Sequence, residues 1–113
     1  MYSNGQGVLQ DDKEAVEWYR KAAKQGSAVA QFNLGLMCAN GRGVLQDDKE
    51  AVGWYRKAAE QGYAGAQLNL GVMYATDRGV PKDFVIAYAF ANIAEANGFD
   101  VKRFKSLLEK EMI

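Results

Sequence analysis

Apolar residues recur at helical spacing in several segments of the chain, and glycine residues separate these segments. In the segment 12–25, the apolar positions that share one helix face are Ala15, Trp18, Tyr19, Ala22 and Ala23. Asp11 or Asp12 is expected to cap the start of this helix, and Gly26 to end it in the left-handed conformation. The same pattern predicts helices over 28–40, 48–61, 64–76, 83–97 and 100–112. The sequence therefore predicts an all-α fold.

These segments repeat with a period of 36 residues. Val8, Val44 and Val80 follow one another at this spacing, and residues 5–37 differ from residues 41–73 at only 7 of 33 aligned positions. An amphipathic helix pair cannot bury its apolar face alone, so consecutive pairs are expected to stack into an α-solenoid. We expect a single domain over 1–113, with units of about 5–40, 41–76 and 77–113 and a C-terminal capping helix.

Two glycines lie in the middle of predicted helices, where glycine costs about 1 kcal/mol relative to alanine. Gly35 and Gly71 are therefore expected at tight helix crossings, against Ala15, Ala51 or a nearby aromatic ring. Four aromatic rings are expected to fill the core between the repeats: Trp18, Tyr19, Trp54 and Tyr55.

The repeated segment DDKEAVEWYRKAAKQGSAVAQFNLGLMCANGRGV resembles the Sel-1-like repeat, a relative of the tetratricopeptide repeat. Its matching elements include Trp18-Tyr19, Asn33-Leu34-Gly35 and Gly41-x-Gly43-Val44, whereas Asp77 replaces the first turn glycine of the later unit. The resemblance implies a right-handed solenoid of antiparallel helix pairs. It also implies an adaptor that binds proteins, and it suggests a bacterial source.

The resemblance further implies where a ligand binds, because the first helix of each pair lines the concave surface of such solenoids. The expected binding residues are Val29, Phe32, Asn33, Leu36, Asn40, Leu68, Asn69, Val72 and Thr76, together with Lys105 in the terminal helix. Val101 and Leu108 are expected to face outward beside Lys105. A helix-borne asparagine offers both a donor and an acceptor to the backbone of an extended peptide. Local bracing of the stack is the alternative role for Asn33 and Asn69.

Composition argues against several other functions. Lys and Arg number 14, as do Asp and Glu, so the chain lacks the basic surplus that is typical of nucleic-acid binding. It has no histidine and one cysteine, Cys38, so we expect no metal site, no cofactor and no catalytic activity. Helix capping explains the clustered carboxylates better than an acid pair does. These are Asp11, Asp12, Glu14, Asp47, Asp48 and Glu50.

The length of the apolar stretches bears on whether the chain can insert into a membrane. None of them approaches the roughly 20 residues that span a bilayer, so we expect no membrane insertion. No signal peptide is visible at the N-terminus. The compartment therefore stays open between the cytoplasm and, if a signal was removed, the periplasm or the exterior.

Two classes of binding function remain at this point. The first is an adaptor that offers its concave face to a peptide or protein. The second is an inhibitor or immunity-type protein that blocks a cognate toxin or enzyme. In addition, Met1-Tyr2 aligns with Met73-Tyr74, so the first helix is expected to lack its partner and to leave an apolar face uncovered. Self-association through this face is a further expectation.

Overall fold

Helices account for the secondary structure of the computed structural model, which describes residues 5–112, with side chains from residue 11 onward. Within this range there are six α-helices and no strand, as the sequence predicts. Their bounds are α1 Gly5–Lys24, α2 Ala28–Asn40, α3 Asp48–Glu60, α4 Ala64–Thr76, α5 Phe84–Ala96 and α6 Lys102–Met112.

The first helix begins earlier than the sequence pattern predicts. Asp11 and Asp12 lie inside α1, so the expectation that either residue caps the helix is wrong. In the second copy of the repeat, the turn before α3 is held in place because Asp47 N–H donates to the Cys38 carbonyl at 2.8 Å and Arg42 pairs with Asp12. No preceding described helix offers such partners to residues 5–11, and extending an existing helix adds one hydrogen bond per residue.

The other helix ends follow local sequence signals. The side chains of Ser27, Asp47 and Asp83 accept hydrogen bonds from backbone N–H groups three residues later, at 3.0–3.2 Å. Asp77 follows α4 and adopts the left-handed conformation with a φ of 59°. Gly41, the equivalent residue after α2, has a φ of 68°. Aspartate tolerates this region better than most residues, and its carboxylate also accepts from Lys82 N–H at 3.1 Å.

Consecutive helices pack against one another and build a right-handed α-solenoid that measures 47 × 27 × 25 Å. Leu34 and Leu70 lie at equivalent places in successive repeats and are completely buried. A Cβ added at Gly35 would lie 2.6 Å from the ring of Tyr55, and one at Gly71 would lie 3.1 Å from the Phe104 ring. The predicted tight crossings at both glycines are therefore confirmed, with aromatic rings as the close neighbours.

The four aromatic rings that were expected to fill the core differ in their exposure. Tyr55 is 2% exposed, and Tyr19 and Trp54 are half-buried against the same core. Trp18 is 69% exposed, so the expectation for this residue is wrong. Trp54 lies beside the α1–α3 ion pair of Arg20 with Glu50 and donates to Glu50 at 3.2 Å, whereas no described helix precedes α1 to cover Trp18 in this way.

Side-chain amides hold successive repeats in register. Gln31 and Gln67, both buried, donate to the carbonyls of Ala23 and Ala59 at 3.1 Å. Their own oxygens accept from the amides that follow α3 and α5, namely those of Gln61 at 3.0 Å and Asn97 at 2.9 Å. Because buried amides are costly when unpaired, this repeated network fixes how each pair sits on the next.

Candidate functional site

Two cavities lie on one side of the stack, at equivalent places in successive repeats. The first has a volume of about 280 Å³ and lies between α1 and α2, where Tyr19, Asn33, Leu36 and Arg42 line it. The second has a volume of about 170 Å³, and its lining includes the residues 36 positions later: Tyr55, Asn69, Val72 and Arg78. Leu36 lines both cavities, so the two adjoin each other along the stack, and we call the pair the groove.

Three structural elements supply the equivalent side chains of each cavity. The asparagine and the aliphatic residue come from α2 or α4, the tyrosine comes from the preceding helix, and the arginine comes from the following turn. The spacing between Asn69 and Val72 places both on one face of α4. The tyrosine and arginine reach the cavity only because consecutive helices are stacked.

An ion pair positions each arginine at the edge of its cavity. The Arg78 guanidinium binds Asp48 in two places, with Nη2 at 2.8 Å from Oδ1 and Nε at 3.3 Å from Oδ2. Arg42 binds Asp12 in the same arrangement, at 3.0 Å and 3.4 Å. Both guanidinium charges are therefore compensated, so neither arginine offers an unpaired cation to a ligand in the cavity.

Tyr55 connects the core to the second cavity. Burial raises the pKa of its hydroxyl, and a hydrogen bond with the Asn69 side chain acts in the opposite direction on that pKa. The hydroxyl is protonated at neutral pH because its pKa lies above the ordinary value of about 10. The contact with Tyr55 braces Asn69 locally, and Asn69 still lines the cavity. An amide has several hydrogen-bonding positions, so bracing and ligand binding are compatible for this residue.

Four of the residues that were predicted for binding lie together in the second cavity: Leu36, Asn40, Asn69 and Val72. Asn33 shares the first cavity with Leu36. Thr76 follows on α4, is exposed, and donates its hydroxyl hydrogen to the Val72 carbonyl at 2.7 Å. The predicted binding residues on α2 and α4 thus include a connected group along the groove.

The structure places the remaining predicted residues on α2 and α4 outside the lining of these two cavities. Phe32 packs between Tyr55 and Tyr63, with ring centroids 5.9 Å and 5.0 Å from its own, and it closes against Gly65 of α4. Leu68 packs on the small C-terminal core, and Val29 is 53% exposed at the start of α2.

The terminal helix contributes differently from the expectation. The Lys105 ammonium binds Glu95 at 2.8 Å and lies 5.2 Å from the centre of the Tyr88 ring. Val101 and Leu108 are 1% and 2% exposed, so the expectation that they face outward is wrong. They bury the apolar side of α6 on the stack, which is what a capping helix requires.

Sequence reasoning missed the tyrosine and the arginine of each cavity. Tyr55 was assigned to the core alone, and the turn containing Arg78 was treated as a connection. One signal was present, because Tyr19 and Arg42 recur unchanged 36 residues later at Tyr55 and Arg78. Identity between copies at a turn residue such as Arg78 indicates a side-chain contact that the turn itself does not need.

The described residues give little support for metal binding, a reactive thiol or a membrane-spanning helix. No group of three or more His, Cys, Asp or Glu side chains between residues 11 and 112 could hold a metal ion. Cys38 is completely buried, and burial raises the pKa of its thiol to about 11, with Glu50 adding to the effect. None of the six helices has the length and apolar character that a membrane crossing needs.

Antiparallel helix pairs with a constant period, and a pocket that recurs in two successive repeats, define an α-solenoid repeat protein. Its family follows from the sequence, because the model of the Sel1 repeat matches residues 1–27, 28–63 and 64–99. The chain belongs to the Sel1 repeat family. The units matched from residue 28 onward each combine a groove-lining helix with the helix that follows it, α2 with α3 and α4 with α5. No match was found among curated proteins.

Solved structures of similar bacterial proteins share this fold. One is c5321, described as a protective antigen of uropathogenic Escherichia coli with an SLR fold, at 44% identity and a TM-score of 0.84 over 88% of this chain. A Sel1 repeat protein from Oxalobacter formigenes matches at 43% identity over 76% of the chain, with a TM-score of 0.73. The chain spans only 22% and 35% of these two proteins.

A more distant neighbour is the cysteine rich protein B (hcpB) of Helicobacter pylori. It is 26% identical, with a TM-score of 0.70, and the match covers 87% of this chain and 68% of that protein. These relatives are consistent with a bacterial protein of the tetratricopeptide-like superfamily.

Proposed function

We propose that this chain is an adaptor module that binds an extended peptide segment of a partner protein in the groove along α2 and α4. Sel1 repeat proteins are generally protein-interaction modules, and their scaffold is generally non-enzymatic. The observation that carries the proposal is the pair of cavities joined at Leu36, each with an asparagine at the same place.

The geometry of the repeat supports an extended ligand. α2 and α4 occupy equivalent places in successive repeats, and the Phe32 ring of α2 reaches Gly65 of α4. An extended peptide advances about 3.3 Å per residue, so one that follows the groove would meet Asn33 and Asn69 through backbone groups several residues apart. The aliphatic residues Leu36 and Val72 would contact the side chains between these points.

The composition of the groove supports peptide backbone as the ligand chemistry. Backbone N–H and C=O groups are neutral, and the two arginines beside the groove are already paired with Asp12 and Asp48. An asparagine amide can pair with both backbone groups. A highly charged ligand would find no free counter-charge in the lining of the second cavity, where Arg78 is the only charged residue among the described lining residues.

The test begins with selection of peptides that bind the chain from a random peptide library, followed by calorimetry with variants. We expect Asn69→Ala to weaken a selected peptide by about tenfold or more, which corresponds to one lost hydrogen-bonding partner. Asn33→Ala is expected to act in the same direction. Asn92→Ala is the matched control, because Asn92 is an exposed asparagine on α5 outside both cavities.

The result can also refute the proposal. Peptides that bind with unchanged affinity to Asn33→Ala, Asn69→Ala and the control variant would remove the groove as the binding site. Peptides whose affinity falls only for the Asn92→Ala variant would place the binding site on α5 instead.

Self-association through α1 is a second, separate proposal. The exposed indole of Trp18 supports it, since tryptophan is enriched in protein–protein interfaces. The expected result is that Trp18→Lys lowers a concentration-dependent mass measured by light scattering. A mass that is identical for both proteins and equal to that of a monomer would contradict it.

A further inference from the structure

The exposed face of α5 differs from the same face of the earlier helices in its lack of charge. Six equivalent positions of α1 all carry charged residues: Lys13, Glu14, Glu17, Arg20, Lys21 and Lys24. In α3, five of the six positions are charged, and the sixth is Gly53. The charged residues are Lys49, Glu50, Arg56, Lys57 and Glu60. In α5, none is charged, and we call these residues the α5 stripe: Val85, Ile86, Ala89, Asn92, Ile93 and Ala96.

The α5 stripe is accessible to solvent. Val85 is 68% exposed, Ile93 45% and Ile86 36%, and Ala89 is also exposed. Single apolar residues on a surface are ordinary, whereas a contiguous set on one helix face marks a contact surface. The charged residues at the equivalent positions of α1 and α3 show that the fold itself does not require apolar residues there.

The order of residues in the stripe is nearly symmetric about Ala89. Val85 and Ile93 lie four residues to either side, and Ile86 and Asn92 lie three residues to either side. When two such helices pair in antiparallel fashion about Ala89, each Val85 meets the Ile93 of the second copy. The small side chain at the centre allows close approach of the two backbones, and no residue of the stripe itself carries a charge that pairing would bury.

The charges around α5 also favour an antiparallel arrangement. The last turn of α5 has no basic residue, and its one acidic side chain, Glu95, is already paired with Lys105. Lys82 lies in the turn just before α5. In an antiparallel pair, Lys82 of each copy lies near the C-terminal end of the other copy's α5, where a cation is favoured by the helix dipole.

We propose that the α5 stripe is a contact surface at which two copies of this chain pair through antiparallel α5 helices. Such a contact uses the same surface on both copies, so it closes at a dimer and does not extend into a fibre. The stripe is one helix face, smaller than a standard interface, and a weak dimer with a dissociation constant on the order of 100 µM is expected.

The first test measures molar mass by sedimentation between about 10 µM and 1 mM, a range that brackets the expected dissociation constant. We expect the mass to rise from that of a monomer towards that of a dimer. Val85→Lys and Ile93→Lys introduce the residue type that α3 carries at the equivalent positions, so folding is expected to be preserved. Each is expected to shift the dimer midpoint to concentrations at least about tenfold higher.

Two further variants separate this contact from other surfaces. Leu107→Lys changes an exposed apolar residue on α6, at 55% exposure, and is expected to leave the mass unchanged from that of the parent chain. Trp18→Lys removes the separate contact proposed for α1, so Ile93→Lys is expected to shift the dimer midpoint by the same factor in the Trp18→Lys protein as in the parent chain. A loss of dimer in Trp18→Lys that Ile93→Lys does not reproduce would overturn the proposal.

A cysteine at the centre of the stripe gives the sharpest geometric test. Helix axes that are about 8 to 10 Å apart place facing Cα atoms roughly 4 to 5 Å apart, within reach of a disulfide. In Ala89→Cys, we expect an intermolecular disulfide at least about tenfold faster than in Gly53→Cys, the equivalent exposed position of α3. Native Cys38 is buried and does not interfere.

Adding Ile93→Lys to Ala89→Cys is expected to slow this cross-linking to the rate of Gly53→Cys. Equal cross-linking rates for Ala89→Cys and Gly53→Cys would overturn the proposal, as would a monomer mass for the parent chain over the whole concentration range.

Discussion

The replacement of Gly35 by alanine tests the packing that shapes the groove. Gly35 lies in the middle of α2 and faces the ring of Tyr55, which is almost completely buried. A Cβ at this position would lie 2.6 Å from Cε1 and 2.7 Å from Cδ1 of that ring. Carbon atoms do not approach this closely, so either the ring or the helix must move.

The magnitude follows from two opposing contributions. Alanine improves the helix by about 1 kcal/mol relative to glycine. Overpacking of a well-packed core costs about 1–3 kcal/mol, and the Tyr55 ring has little freedom because Phe32 packs beside it. With the ring held in this way the cost is expected in the upper part of that range, about 2–3 kcal/mol, so after the helix gain Gly35→Ala should lower the free energy of unfolding by about 1–2 kcal/mol.

Gly53→Ala is the matched control. Gly53 lies in the middle of α3, is exposed, and has no atom within 4 Å of an added Cβ. The helix contribution acts there without opposition, so we expect this variant to raise the free energy of unfolding by about 0.5–1 kcal/mol. The same chemical change is thus predicted to have opposite signs at two glycines of one protein.

Urea unfolding followed by circular dichroism measures both variants. With an m-value of about 2 kcal/mol/M, in the middle of the usual range, the predicted loss for Gly35→Ala moves the midpoint down by roughly 0.5–1 M. If Gly35→Ala stabilised the protein as much as Gly53→Ala does, the Tyr55 ring would not be fixed against α2. The account of a rigid second cavity would then be wrong.

Three other predictions concern the thiol, a carboxylate and an ion pair. Burial raises the pKa of Cys38 to about 11. At pH 8, the folded protein is therefore expected to react with a thiol reagent at least about 100-fold more slowly than the protein unfolded in urea. Equal rates for the folded and the unfolded protein would refute this prediction. The hydrogen bond from Arg20 lowers the pKa of Glu50, so this carboxylate stabilises the fold above its ordinary pKa of 4.5 and the contribution is lost as the pH falls through the lowered value. Glu50→Gln is therefore expected to cost less than about 1 kcal/mol of unfolding free energy at pH 7, and this cost is expected to shrink as the pH falls below 4.5, whereas a cost that grows on acidification would contradict the sign. Arg78→Lys loses the two-point contact with Asp48 and is expected to destabilise the protein by about 0.5–1 kcal/mol in urea, while an unchanged midpoint would show that the pair contributes nothing.

Most of the fold could be predicted because the repeat compels stacking. The helix bounds after α1 follow from caps and glycines that act locally, and Gly35 indicated a close aromatic neighbour through its cost in a helix. The start of α1 could not be predicted in the same way. The sequence around Asp12 is nearly the same as that around Asp48, and the two differ in what packs beside them and in Gln6, which stands where the second copy has Arg42.

The sequence predicts those groove residues that lie together on the face of a single helix. Helical spacing alone places Asn69 and Val72 on the same face of α4. It cannot show that Phe32 is covered by α4 or that Tyr55 and Arg78 reach the second cavity, because those facts depend on how neighbouring helices approach one another.

A titration of the isotope-labelled chain with a selected peptide, followed by nuclear magnetic resonance, tests the binding groove most directly. The account predicts that the side-chain amide signals of Asn33 and Asn69 shift together with backbone signals of α2 and α4, and that Asn92 stays unchanged. Shifts confined to the charged exposed face of α1 and α3, with both groove asparagines unaffected, would contradict it.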